Sequence, residues 1–287
     1  MFLTFGLGIA TYETTMAAFY DLGVTVQPSP ADTSNSGTSK SNQLLLYGRW
    51  QQLIPEEQWS VFQKVVRKAR ARGIEFAFGG AFALATYTGK WRDTKDMDLY
   101  VMPQDRDRMK AVMDEVGLTD YFPVKDYDRS WIYRAHAGDV IVDTIWAMAN
   151  HRTDVDRDWL TRGPLVAFGS ERVRVVPPEE LIWSKLYVMQ RDRCDWPDVL
   201  NILQAIGPQL DWPRLMRRLA DDTSLLDGVL SAFRWLSPER AAELPSWLWR
   251  LKVRNTAAPQ DPCERVRLLD SRPWFRALEA TEGAMEC

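Results

Sequence analysis

The sequence predicts an α/β protein of the α+β kind: a small mixed sheet with flanking helices, followed by a helical C-terminal lobe. Three observations lead to it. Between residues 55 and 176, helical and strand patterns alternate as helix, strand, helix, strand, helix, strand, strand, with one more strand at the end. Such alternation is what helices packed on a mixed sheet produce. Beyond Pro177-Pro178 only helical patterns follow. The composition, 46% hydrophobic and 26% charged with 13 tryptophans over 287 residues, suits a folded chain with a real core.

Taken in order, residues 1–26 are apolar but carry Glu13 and Asp21, with no basic residue before Lys40. That is the wrong start for a signal peptide, and the run lacks the roughly 18 apolar residues of a membrane span. It reads as a peripheral segment or an upstream extension of the true start. Residues 27–43 are rich in Ser, Thr, Pro, Asn and Asp without apolar period, the pattern of a flexible linker. The expected organisation is therefore a peripheral segment and linker at 1–43, a core domain at 44–176 and a helical domain at 177–287.

The first core helix opens at Pro55-Glu56, places Trp59, Phe62, Val65, Val66 and Ala69 on one face, and stops at Gly73. Residues 74–78 are β-prone and lead into Gly79-Gly80, with a helix expected from Ala81 to Tyr87. Along 97–102 Met97, Leu99 and Val101 alternate with Asp96, Asp98 and Tyr100, the period of a half-buried strand that Pro103 ends. A helix follows over 104–116 with Gly117 as its stop, then strands over 130–135, 139–146 and 171–176. In the C-terminal lobe helices are expected over 179–190, 196–206, 212–220 and 225–236. Asp195-Trp196-Pro197 and Asp211-Trp212-Pro213 read as aspartate caps followed by a first-turn proline. Trp235, Trp247 and Trp249 are expected in the core.

Thirty-six basic residues against 39 acidic ones give a net charge of −3, so any nucleic-acid contact has to come from a local patch. One such face is Lys64, Arg67, Lys68, Arg70 and Arg72 on the first core helix. The cysteines, Cys194, Cys263 and Cys287, form no Cys-x-x-Cys pair. That argues against a zinc site or disulfide framework and fits a reducing cytoplasm. Neither a Walker motif nor a dinucleotide fingerprint is present.

The chemistry is expected at Asp96, Asp98 and Asp143. Two carboxylates two apart on a strand share a face and repel one another. A divalent cation relieves that repulsion, and hard oxygen ligands suit magnesium. In Asp139-Val140-Ile141-Val142-Asp143 the aspartates share the face opposite the valines. Asp143 is favoured as the third ligand because Asp139 follows Gly138, where a turn aspartate is expected. Two metals on three carboxylates would activate a hydroxyl and stabilise a leaving pyrophosphate without a histidine, so His136 and His151 receive no role. Gly79 and Gly80 would let backbone and helix-start amides approach phosphate oxygens.

The stretch GGAFALATYTGKWRDTKDMDLYV resembles the Gly-Gly or Gly-Ser, then Asp-x-Asp, signature of the polymerase-beta-type nucleotidyltransferases. Its long glycine-to-aspartate gap and the wording Arg92-x-Thr94-x-Asp96-x-Asp98 look most like two branches. These are the lincosamide or aminoglycoside enzymes and the abortive-infection toxins of the AbiEii kind. The likeness covers about residues 74–146 and is looser to 206. It implies a nucleotidyltransferase fold and transfer of a nucleoside monophosphate from an NTP to a hydroxyl acceptor with two Mg2+ ions. The acceptor would be RNA, as in a toxin with an antitoxin partner, or a small hydroxylated molecule, as in a resistance enzyme. Gly80 stands where the other version has serine, leaving backbone amides as the triphosphate contact.

Lys185 lies within an apolar arc of its helix. Either it snorkels from the core, or it reaches the cleft and meets a phosphate, as the corresponding lysine does in related enzymes. Arg92 is a further candidate for the nucleotide. Asp195 and Asp198 resemble an acidic pair of the toxin-like branch, but a cap explains Asp195, so both stay outside the expected site. The rival from another class is a catalytically silent nucleotide-binding regulatory module of the same fold, against which the intact carboxylate trio argues.

Overall fold

The computed structural model describes residues 50–190 and 193–250. The expectations for 1–43 lie outside the described residues, as do Cys263 and Cys287. Among the described residues seven strands form one mixed sheet: β1 Phe76–Phe78, β2 Asp96–Val101, β3 Thr119–Asp120, β4 Ile132–Ala137, β5 Val140–Ile145, β6 Leu165–Phe168 and β7 Glu171–Val175. Their order across the sheet is β3-β4-β5-β2-β1-β7-β6. Strand β2 runs parallel to β5 and antiparallel to β1, while β1 runs parallel to β7. The expected fold class is what forms.

Helix α1, Trp50–Leu53, precedes α2, Glu56–Ala71. The expected stripe of α2, Trp59, Phe62, Val65, Val66 and Ala69, is buried. Its acidic first turn and basic last turn complement the helix dipole. Trp50, Phe78, Phe82 and Phe168 meet edge-on or tilted, with ring centroids 4.9–6.2 Å apart, and tie α1 and α3, Gly80–Thr88, to the sheet. Helix α4, Arg106–Glu115, follows β2 after one 3-10 turn, Pro103–Asp105.

In β2 the alternation holds residue by residue: Met97, Leu99 and Val101 are fully buried, and Asp96, Asp98 and Tyr100 are half-buried on the other face. Strands β3 and β6 and helix α5, Arg157–Thr161, were not expected. β3 is two residues long and β6 four, too short for a period to show.

After β7 come α6 Pro178–Leu186, α7 Trp196–Ile206, α8 Trp212–Leu219, α9 Thr223–Leu236 and α10 Pro238–Ala242. The helix expected over 179–190 thus ends early. Val188 donates to the Lys185 carbonyl, and Met189 forms a short bridge with Cys194. Helix α6 is anchored through Glu180, which is fully buried and accepts from Arg214 and Arg218 on α8.

Two further expectations are corrected. Asp211 caps its helix through Arg214 N, but Asp195 makes no side-chain cap bond because its carboxylate serves an ion network instead. Trp235 is 83% exposed rather than in the core, on the outer face of α9, and Trp247 is exposed as well. Among the described residues no helix is long and apolar enough to cross a membrane.

Candidate active site

Parallel pairing of β2 with β5 sets Asp98 directly beside Asp143, with Asp96 beside Ile141. The strand period then turns all three aspartates to the same face. Oxygens of Asp96, Asp98 and Asp143 lie within 4.8 Å of one another, a spacing that hard divalent cations can bridge. Asp139 falls in the Gly138-Asp139 turn before β5 and is not part of the cluster. Thr94 donates its hydroxyl to Asp96 Oδ1, which fixes the orientation of that carboxylate.

Crowding shows in the proton affinities. Burial, followed by the charges of Asp96 and Asp143, pushes the Asp98 carboxyl up to about 8. Asp143 is raised chiefly by burial, against the opposing hydrogen bond and charge of Arg134. Carboxylates held in this way gain from any positive charge brought among them.

The glycine pair has a packing reason that spacing did not reveal. A Cβ on Gly80 would fall 1.7 Å from Asp98 Oδ2, and one on Gly79 would fall 2.2 Å from the Tyr100 ring. The two glycines make room for the two outward residues of the neighbouring strand. Gly80 also has φ +47, a left-handed conformation that glycine adopts without strain. The Gly79 amide donates to the Asp98 carbonyl at 3.0 Å, so it is already engaged. Gly80 and Ala81, in the first turn of α3, line the cavity above the aspartates. Such a turn presents amides without intrahelical partners.

Lys185 neither snorkels nor points a free ammonium into the cleft. Its Nζ donates to Asp195 Oδ2 at 2.8 Å and to Asp198 Oδ2 at 2.7 Å, and the side chain is buried. Arg92 Nη1 reaches Asp198 Oδ1 at 3.2 Å, and Arg193 Nε reaches Asp195 Oδ1 at 3.2 Å. Both guanidinium groups remain largely exposed. Burial works to raise Asp195, but Lys185 and Arg193 hold it below the usual carboxylate range.

A family described as an uncharacterised nucleotidyltransferase matches residues 58–235. That span takes in the aspartate trio, the glycine pair and the Lys185 network. The chain belongs to this nucleotidyltransferase family. Among solved structures it is similar to the antibiotic-resistance factor ANT(2'')-Ia, at 19% identity over 64% of this chain and 95% of that one, with a TM-score of 0.38. It is also similar to a nucleotidyltransferase-like antigenic protein from Paracoccidioides brasiliensis, at 14% identity over 68% and 97%, with a TM-score of 0.43. A protein from H. pylori named as a putative nucleotidyltransferase gives 13% identity over 68% of this chain and 86% of that one, with a TM-score of 0.35. No curated protein matches the chain.

In this nucleotidyltransferase the site opens into a cavity of ≈ 360 Å³, within the range of small-ligand pockets. Asp96, Asp98, Asp143 and Gly80 line it, together with Lys185, Arg193 and Asp195. Trp131, Met148 and Tyr187 add apolar and aromatic surface to its lining. Tyr100 also lines it and stacks on Trp159 at 5.3 Å and 18°. Neither histidine lines the cavity: His136 lies near the Gly138 carbonyl, and His151 beside Ser130 and Asp128.

Sequence reasoning missed Arg134. Its Nε donates to Asp143 Oδ1 at 2.8 Å and its Nη2 to Asp143 Oδ2 at 2.6 Å, a two-pronged grip on a carboxylate that is only 1% exposed. A signal for it was present. Gly138-Asp139 is a two-residue hairpin connection that pairs Ala137 with Val140, and counting back along the ladder brings Arg134 opposite Asp143. Asp195 and Asp198 were set aside because a cap accounted for the first. Their spacing from Lys185 becomes meaningful only once the chain turns between α6 and α7.

Proposed function

We propose that this nucleotidyltransferase moves a nucleoside monophosphate from an NTP to a hydroxyl acceptor, with a pair of magnesium ions held by Asp96, Asp98 and Asp143. The observation that carries this is the carboxylate trio itself: oxygens within 4.8 Å of one another, at the base of a cavity, beside the first turn of a helix. Isolated carboxylates so close are unfavourable unless a cation joins them. Magnesium bound there would polarise the phosphoryl oxygens and lower the proton affinity of the acceptor hydroxyl.

The chain's own residues supply the positioning. Asp96, oriented by Thr94, and Asp98, seated against Gly80, fix two ligands on one rigid strand. Asp143 presents the third from the neighbouring strand. The amides of Gly80 and Ala81 at the start of α3 are suited to phosphate oxygens. Arg92 and Arg193, exposed at the rim, carry the positive charge that a triphosphate needs. Lys185 supports this indirectly by holding Asp195 and Asp198, the carboxylates that position those two arginines.

The cavity is lined from both sides of residue 177, which supports two lobes, 44–176 and 177–287, with the site in the cleft. The acceptor is RNA or a small hydroxylated molecule, and the reaction is placed in the cytoplasm, where NTP and magnesium are abundant.

The test is to incubate the protein with each labelled NTP and magnesium in a cell extract and to follow which molecule acquires label. Transfer that disappears in Asp96→Asn and Asp98→Asn supports the proposal. Magnesium-dependent NTP binding with no transfer to any acceptor would instead indicate a silent nucleotide-binding module.

A further inference from the structure

We propose that Arg134 is a built-in counter-cation of the aspartate trio, competing with a divalent ion for Asp143 and so keeping the site weak for metal until a nucleotide arrives. This rests on the cation-site reading above and adds a control to it. Three features lead there. The guanidinium covers both oxygens of Asp143 at 2.8 and 2.6 Å, so an ion binding Asp143 meets a carboxylate whose inner lone pairs are already engaged. The grip is set by backbone register, since Arg134 and Asp143 are directly opposed in the β4–β5 ladder. Asp143 is 1% exposed while the Arg134 side chain is 31% exposed, so the arginine has room to yield and the carboxylate does not.

The consequence is electrostatic. Three carboxylates alone would attract a divalent ion strongly, and one fixed guanidinium removes a unit of that negative charge at close range. A triphosphate restores it. Its phosphate oxygens both ligate the ion and offer the guanidinium an alternative partner. Metal and nucleotide are then expected to load together. The Tyr121 ring, with its centroid 5.9 Å from the Arg134 guanidinium carbon, gives the displaced side chain a face to rest on.

The experiment uses the full chain, stripped of metal, with Mn2+ as probe and free Mn2+ read by electron paramagnetic resonance. Nucleotide-free Arg134→Met is expected to bind Mn2+ about tenfold more tightly than the wild type, the order expected when one unit charge near a divalent ion is removed. Arg134→Gln, which keeps a hydrogen bond to Asp143 without the charge, should move the same way and serves if the methionine variant does not fold. Arg134→Lys restores the charge and should return affinity to within about threefold of the wild type.

Equal or weaker Mn2+ binding in a folded Arg134→Met or Arg134→Gln protein overturns the inference, because it would make Arg134 merely a support for Asp143. An Asp98→Asn variant separates the two levels. If it binds Mn2+ as well as the wild type does, the cation site itself is misassigned. If it loses binding while the Arg134 variants match the wild type, only this inference fails.

Discussion

Replacing Asp98 by asparagine removes a charge that the fold holds at a cost. In the folded chain the Asp98 carboxyl titrates at about 8 against 3.8 for an unperturbed aspartate, because of burial and then of Asp96 and Asp143. Below pH 4 both states are protonated and the group contributes nothing. Between pH 4 and 8 the folded state keeps the proton and the unfolded state releases it, so stability falls as pH rises. Above pH 8 the loss is complete.

Roughly four decades of proton affinity at ~1.4 kcal/mol each bound the loss at on the order of 5 kcal/mol. The three aspartates share the repulsion, so about half of this is expected, ~2–3 kcal/mol at pH 8. For a body of this size that corresponds to about 5–10 °C in melting temperature. Thermal unfolding followed by circular dichroism at pH 5 and pH 8 reads it directly. Asp98→Asn should melt above the wild type at pH 8, converge with it toward pH 4, and have lost nucleotidyl transfer. Magnesium together with an NTP should raise the melting temperature of the wild type at pH 8 and leave the variant nearly unchanged. A variant that melts at or below the wild type at pH 8 would refute the argument, because Asp98 would then be stabilising the fold.

Gly80→Ala forces a Cβ toward Asp98 Oδ2 at a φ of +47. It should cost about 1–3 kcal/mol of stability and, by moving Asp98, lower transfer on the order of 10²-fold, as steady-state kinetics with chemical denaturation would show. Lys185→Met leaves Asp195 and Asp198 without their buried ammonium. A loss of roughly 3–5 kcal/mol in a urea titration is expected.

Much of the fold was legible because it is written in local periods. Met97, Leu99 and Val101 against Asp96, Asp98 and Tyr100 is a period of two, and it defined both the strand and the face of the site. The stripe of α2 is a period of 3.6. What escaped was short or non-local. β3, β6 and α5 are too brief to express a period. The helix expected to run to 190 stops at Leu186, where the chain turns so that Met189 can pair with Cys194.

The sequence by itself determined the fold class, the pairing of Asp96 with Asp98 and the presence of a glycine turn beside them. Each of these is a statement about residues a few positions apart, and backbone geometry converts such spacings directly into faces and turns. Only the tertiary structure decided that Asp143 lies beside Asp98, that Gly79 and Gly80 are small because Tyr100 and Asp98 need the space, and that Lys185 is occupied by Asp195 and Asp198. It also decided that Arg134 grips the third aspartate. Strand order and helix docking bring these partners together, and the energies involved, charge against charge and atom against atom, arise only at contact.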